Sequence, residues 1–173
     1  PGLYDLTTAG SGQLFISQAK TLRNLGGGLV TIDAGGASRA IDIDGAVFVE
    51  LDGLTITGGA QNAGGGIRTR SNLTTIRNST ITGNQARNGG GLLHRGGSVL
   101  LENVTVSGNT TAGNGADGAG IFFRNGSLTL TRSTVSGNTA TGITLVGGGG
   151  IYGNGSLTLI DSTISGNTLS VAG

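Results

Sequence analysis

The hydrophobic positions of this chain come in short alternating groups. Apolar pairs two residues apart recur at Val49 and Leu51, Val99 and Leu101, Leu128 and Leu130, and Leu157 and Leu159. A period of two predicts short β-strands, and no stretch repeats its apolar residues at the 3.6-residue interval of a helix. Another short apolar segment follows each glycine run and ends at Ile67, Leu92, Ile121 and Ile151.

A polar hexapeptide with one large apolar residue occurs four times. It reads "STITGN" at 79–84, "VTVSGN" at 104–109, "STVSGN" at 133–138 and "STISGN" at 162–167. Its apolar residue aligns in a series spaced 24 to 29 residues apart: Leu6, Ile32, Ile56, Ile81, Val106, Val135 and Ile164. A regular period of this length is typical of stacked repeat architectures.

Three short strands in each repeat predict an all-β, single-stranded parallel β-helix of about seven coils, as one domain over residues 1–173. Within the first hexapeptide, alternation predicts Ser79, Ile81 and Gly83 inward, with Thr80 and Thr82 outward. The asparagines that end the hexapeptides should form a hydrogen-bonded ladder at one corner of the coils. They are Asn84, Asn109, Asn138 and Asn167.

Composition limits the chemistry that such a fold can carry. Of 173 residues, 37 are Gly, and Trp, Met and Cys are absent, so the core must be thin and thiolate sites are excluded. Charged residues make up 11% and the net charge is +1, which argues against a nucleic-acid footprint. No apolar run approaches the roughly 20 residues that span a bilayer. We expect no cofactor and no metal.

Two segments resemble a known class of repeat: "GGGIRTRSNLTTIRNSTITGNQARNGGGL" and "NGSLTLTRSTVSGNTA". They resemble the right-handed parallel β-helix repeats of secreted and surface-anchored bacterial proteins of the CSLREA type. They are also similar to the GGA(I/L/V) repeats of polymorphic outer-membrane proteins and autotransporter-like adhesins. The resemblance implies a right-handed helix, a secreted or cell-surface location, and a role in adhesion or extracellular structure. In some relatives it implies polysaccharide cleavage.

A polysaccharide lyase is the enzyme class that the pattern leaves open. Such enzymes need a calcium-binding carboxylate cluster and a nearby basic side chain. Asp42 and Asp44 alternate in the strand "IDIDG", and Arg68 and Arg70 occupy similar positions one repeat later. These four residues are the catalytic candidates. We favour the alternative, a surface salt-bridge cluster that closes the N-terminal coils.

A glycoside hydrolase would need carboxylates grouped across adjacent coils. Glu50 and Asp52 are predicted to be isolated from Glu102, because the repeat between them carries Thr75 and Arg77 at the equivalent positions. His94 is the single histidine, and we interpret it as an exposed strand-end residue rather than a general base. The chain is therefore predicted to be non-catalytic.

Arg70, Arg95 and Arg124 each lie eleven residues before the apolar residue of their hexapeptide, so they should stack in one outward column. Like charges stacked in this way indicate one of two arrangements. Either the side chains are solvated and screened by counterions, which we favour, or they form a basic surface that binds an anionic glycan.

A second outward column consists of threonines, at Thr55, Thr80, Thr105, Thr134 and Thr163. Together with a Thr or Ser two residues later, they present hydroxyls about 6.7 Å apart along a strand and about 4.8 Å between coils. The array resembles the ice-binding face of solenoid antifreeze proteins. The alternative, which we favour, is that hydroxyl residues are ordinary occupants of exposed strands.

These observations favour an extracellular structural or adhesive rod. Neither end of the sequence predicts a capping helix or a charged cap, so the solenoid should either continue into flanking parts of a longer chain or associate end to end into a filament. Polysaccharide is a further candidate partner.

Overall fold

The structure is a computed structural model that describes residues 2–5, 12–142 and 147–171, with the backbone alone for Gly2–Asp5. Its described residues form strands and turns without a helix, and each strand pairs in parallel with strands one coil away. The predicted all-β parallel solenoid is confirmed. Leu6, the first aligned apolar residue of the sequence pattern, lies outside the described residues. The backbone register instead places Tyr4 opposite Ile32.

Sheet 1 contains the hexapeptides and has seven strands. They are β1 (Gly2–Asp5), β4 (Val30–Asp33), β7 (Leu54–Thr57), β11 (Thr80–Thr82), β14 (Thr105–Ser107), β17 (Thr134–Ser136) and β21 (Thr163–Ser165). Ile81 pairs with Ile56 on one side and Val106 on the other, and Val106 pairs with Val135. The apolar residues of successive repeats therefore lie directly over one another, as the period predicts.

Sheet 2 has ten strands in two ranks. One rank holds β2 (Leu14–Ile16), β5 (Ile41–Ile43), β9 (Ile67–Thr69) and β19 (Ile151–Gly153), and the other holds β3 (Lys20–Arg23), β6 (Phe48–Asp52), β10 (Leu73–Arg77) and β20 (Ser156–Ile160). Two long strands, β13 (Leu92–Glu102) and β16 (Ile121–Thr131), run through both ranks. The segment after the glycine run and the alternating apolar pair thus belong to one bent sheet.

Sheet 3 follows the Gly-Asn corner. Its strands are β8 (Ala60–Ala63), β12 (Gln85–Asn88), β15 (Thr110–Ala112), β18 (Thr139–Gly142) and β22 (Thr168–Val171). The coil that contains β4 has no strand here, because a turn and a bend occupy 35–38. The solenoid consequently has about five turns that carry all three sheets, and the prediction of seven coils was too high.

The interior is a stack of thin apolar layers. In sheet 1 the inward column Ile32, Ile56, Ile81, Val106 and Val135 is at most 3% exposed. The second rank of sheet 2 contributes Leu51, Ile76, Leu101 and Leu130, which are completely buried. The burial of one such apolar layer in each coil is the main favourable contribution to the free energy of folding of a chain with so few large side chains.

The Gly-Asn corner between sheets 1 and 3 holds the predicted asparagine ladder. Nδ2 of Asn84, Asn109 and Asn138 donates in turn to Oδ1 of Asn109, Asn138 and Asn167, at 2.9 to 3.0 Å. Ser79 is buried as predicted, but Gly83 is exposed, and the prediction that it points inward was wrong. Its φ of 66° turns the chain so that Asn84, rather than Gly83, enters the interior.

Candidate functional site

Asp42 lies in β5 directly opposite Arg68 of β9. Its carboxylate accepts a hydrogen bond from Nε of Arg68 at 2.8 Å and lies 3.1 Å from Nη1 of Arg39. Arg39 also donates to the carbonyls of Gly64 and Ala63 at 2.8 and 2.7 Å. Burial lowers the pKa of Arg39, and the charge of Asp42 opposes that shift. Two guanidinium groups thus enclose Asp42 in a buried cross-link between coils.

Asp44 and Arg70 form a second, exposed pair two residues further on. Nε of Arg70 donates to Oδ1 of Asp44 at 3.0 Å, and Nη2 donates to the other carboxylate oxygen. This bonding lowers the pKa of Asp44 and raises that of Arg70. The four catalytic candidates are therefore brought together as two ion pairs. Their catalytic role stays a hypothesis, and the pairing does not favour it.

A longer series of ion pairs runs along the second rank of sheet 2. Arg77 lies between two carboxylates, with Nη1 2.9 Å from Glu50 and Nε 3.0 Å from Glu102. Hydrogen bonding to Glu102, together with the charges of Glu102 and Glu50, raises the pKa of Arg77. The series extends at both ends, through Arg23 beside Glu50 and Arg132 beside Glu102. The coil that carries Thr75 and Arg77 therefore separates Glu50 from Glu102, as the sequence predicts, and the guanidinium group of Arg77 bridges the two carboxylates.

A shallow groove of about 500 Å³ lies on the outer face of this rank. Phe48 and Leu73 line its apolar side, and Lys20, Glu50 and Arg77 line its charged side. Because Glu50 is paired with Arg77 and with Arg23, the groove offers no unpaired carboxylate among the described residues that line it.

Arg95 and Arg124 are register partners in β13 and β16, and both side chains are exposed. Neither lies within 4 Å of a carboxylate in the part of the chain that the structure describes. Arg70, the third member of the predicted column, is held by Asp44 instead. The cationic surface that is left open consists of Arg95 and Arg124, and we call it the arginine pair.

Aromatic side chains lie next to the arginine pair. The rings of Phe122 and Tyr152 are 5.8 Å apart and tilted by 35°. Tyr152 is exposed, and a pocket of about 70 Å³ opens beside it. That pocket is lined by Phe122, Phe123, Arg124, Tyr152, Gly153 and Asn154.

Hydroxyl columns cover sheet 1 as the alternation predicts. The backbone register places Thr55, Thr80, Thr105, Thr134 and Thr163 opposite one another. Sheet 3 adds a column that the sequence analysis missed, formed by Thr110, Thr139 and Thr168. The sequence does mark this column, because each of these threonines directly follows the asparagine that ends a hexapeptide.

His94 is completely buried, so the prediction of an exposed strand-end residue was wrong. It occupies an inward position of β13, with Thr69 and Phe123 as its register partners. Neither ring nitrogen makes a hydrogen bond within the described structure. Burial lowers its pKa, and the nearby backbone of Gly97 opposes that shift only in part.

Across 12–142 and 147–171, no three His, Cys, Asp or Glu side chains lie together as a group that could hold a metal ion. The described chain also contains no helix of the length and hydropathy needed to cross a membrane.

Comparison with known proteins agrees with this architecture. Residues 6–172 match the family model described as "Right handed beta helix region". Searches of curated proteins and of solved structures returned no match. Because the match covers nearly the whole chain and the coordinates form a parallel solenoid, this chain belongs to the right-handed beta helix family.

Proposed function

We propose that this chain is an extracellular rod segment with a structural and adhesive role, and that it is not an enzyme. The observation that carries the proposal is that four carboxylates of sheet 2 are held in ion pairs. Asp42, Asp44, Glu50 and Glu102 each contact at least one guanidinium group of another coil. Carboxylates held in this way cross-link the rod, and they are poorly placed to bind calcium or to transfer protons.

The adhesive part of the proposal rests on the arginine pair. Arg95 and Arg124 lie on adjacent strands, whose backbones are about 4.8 Å apart, and an anion held between their guanidinium groups would relieve the repulsion of the two like charges. Guanidinium forks match the geometry of carboxylate and sulfate groups. The exposed ring of Tyr152 gives a sugar ring an apolar face to pack on. An acidic polysaccharide is the ligand class that this surface suits best.

Retention of the chain on immobilised polysaccharides tests the proposal. The panel should contain carboxylated, sulfated and neutral polymers, each assayed with calcium present and with the absorbance of unsaturated products recorded. We expect retention on the acidic polymers and no product. Product formation would overturn the non-catalytic part, and equal behaviour on acidic and neutral polymers would overturn the adhesive part.

Ice binding is a second candidate because the threonines of sheet 1 are in register over five coils. The neighbouring outward column changes from Thr82 to Ser107 and Ser136, which makes the hydroxyl array less uniform. A gap between the melting and freezing points that disappears in Thr105→Lys would favour this function. The absence of a gap in the original chain would exclude it.

A further inference from the structure

Four asparagines of this chain are directly followed by glycine, and the structure places them in different settings. The pairs are Asn88-Gly89, Asn114-Gly115, Asn125-Gly126 and Asn154-Gly155. In such a pair the backbone nitrogen of glycine is able to attack the carboxamide carbon of asparagine, because glycine has no side chain to obstruct the ring that forms. The ring closes only where the backbone is free to rotate, so the fold decides which pair reacts.

Three of the four pairs are held by the surrounding strands. The backbone N–H of Gly89 donates to the carbonyl of Asp117 at 3.0 Å. Asn125 lies within β16, which pairs with strands on both sides. In the last pair the backbone is closely packed, because a side chain on Gly155 would collide with the carbonyl oxygen of Gly126. Ring closure at these pairs would disrupt the packing of adjacent coils, so we expect them to react slowly.

The pair Asn114-Gly115 lies instead in the turn between β15 and β16. The end of this turn is anchored, since the backbone N–H of Asp117 donates to the carbonyl of Arg87 at 3.2 Å. Asn114 itself is exposed, and the backbone N–H of Gly115 has no acceptor among the residues that the structure describes. The nitrogen that must attack is therefore not held in a hydrogen bond by the described part of the fold.

Arg87 of β12 contacts the reacting peptide group. Its Nε donates to the carbonyl oxygen of Asn114 at 2.7 Å. That oxygen shares a peptide group with the nitrogen of Gly115, so when the nitrogen loses its proton, resonance places part of the negative charge on the oxygen. A hydrogen bond from a guanidinium group to this oxygen stabilises the anion. No carboxylate within 4 Å offsets the charge of Arg87 in the described chain.

We propose that Asn114 is a site of spontaneous deamidation and that Arg87 is the catalytic residue of this reaction. Hydroxide removes the proton from the backbone nitrogen of Gly115, and this nitrogen forms a bond to Cγ of Asn114. The bond from Cγ to Nδ2 breaks, and Nδ2 takes a proton from water and leaves as ammonia. Water then opens the cyclic imide at either carbonyl, which gives aspartate or isoaspartate. The new carboxylate cancels the formal net charge of +1.

Mass spectrometry of the folded chain after incubation at mildly alkaline pH tests the proposal. After digestion, each peptide with an Asn-Gly pair is monitored for the mass gain that replacement of NH2 by OH produces. Arg87→Ala removes the catalytic contact. Arg132→Ala is the matched control, because it removes the same charge from an exposed position of another sheet. Parallel incubations in concentrated urea measure the reactivity of the unfolded chains.

We expect Asn114 to react at least about tenfold faster than the other three asparagines in the folded chain. Arg87→Ala should slow the reaction at Asn114 at least about fivefold, and Arg132→Ala should leave it unchanged. In urea, Arg87→Ala should have no effect at Asn114. If Arg87 only held the turn in place, its removal would loosen the turn and speed the reaction.

Three results would overturn the proposal. Faster reaction at another Asn-Gly pair of the folded chain would show that the turn is not the reactive site. An unchanged or faster reaction at Asn114 in Arg87→Ala would remove the catalytic role of Arg87. An equal slowing by Arg87→Ala in the folded chain and in urea would show that the contact made by the fold is not its cause.

Discussion

Asn138 and Asn109 are joined by two hydrogen bonds to a single atom. Oδ1 of Asn138 accepts from the backbone nitrogen of Asn109 at 3.0 Å and from its Nδ2 at 2.9 Å. Nδ2 of Asn109 also donates to the carbonyl of Ile81 at 3.0 Å. Because this corner is buried, the ladder satisfies backbone groups that water cannot reach.

Replacing a central ladder residue should destabilise the rod. In Asn109→Leu, the backbone N–H and Nδ2 of Asn84 lose their common acceptor, and the carbonyl of Ile81 loses a donor. We expect a loss of about 2 to 3 kcal/mol in the free energy of unfolding, measured by urea denaturation. Asn167→Leu is the matched control at the partly exposed end of the ladder, and it should cost less than half as much. Equal losses of stability in the two variants would contradict the view that the ladder stabilises the rod by satisfying buried backbone groups.

The two aspartate–arginine pairs should differ in their contribution to stability. Asp42→Asn leaves Arg39 buried without a counter-charge, because the side chains of Arg39 and Asp42 are only 7% and 3% exposed. We expect a loss of about 3 kcal/mol in urea denaturation. Asp44→Asn breaks an exposed pair and should cost less than about 1 kcal/mol. A larger loss for Asp44→Asn would show that the outer pair is the structural one.

His94 should make the rod sensitive to mild acid. Burial holds its pKa in the folded chain below the value of about 6.5 that it has when unfolded. Well above pH 6.5 the ring is neutral in both the folded and the unfolded chain, so it does not change the free energy of unfolding. As the pH falls below 6.5, the unfolded state binds a proton first, so the free energy of unfolding decreases by up to about 1.4 kcal/mol for each pH unit.

Denaturation curves at several pH values between 7 and 5 measure this slope. His94→Phe should flatten it, because phenylalanine already occupies the same inward column at Phe123. Arg95→Ala, at the neighbouring outward position, should keep the slope of the original chain. An unchanged slope in His94→Phe would mean that other groups cause the acid sensitivity.

The sequence predicted the features that repeat with a strict spacing. Ile81, Val106 and Val135 were expected in one column and lie in one, because alternation fixes the face and the period fixes the register. The asparagine ladder was predicted for the same reason.

Features without a strong pattern were missed. The inward residues of sheet 3 are small: Ala86, Thr111 and Ala140. The inward and outward faces of its strands therefore differ little in hydrophobicity, and the sequence shows no clear alternation there. His94 was expected at an exposed strand end, yet the positive φ angles of Gly96 and Gly97 come only after His94 has entered the interior. The role of Arg77 was missed because it depends on the reach of a side chain across two coil boundaries.

Binding of an acidic polysaccharide at increasing salt tests the central claim most directly. The claim is that unpaired outward charge, and not a catalytic centre, carries the function of this rod. The double variant Arg95→Ala with Arg124→Ala should bind at least about tenfold more weakly than the original chain and depend less on salt. Arg87→Ala removes a cation from sheet 3 and should bind as the original chain does. Equal affinity and salt dependence in the double variant would contradict the claim.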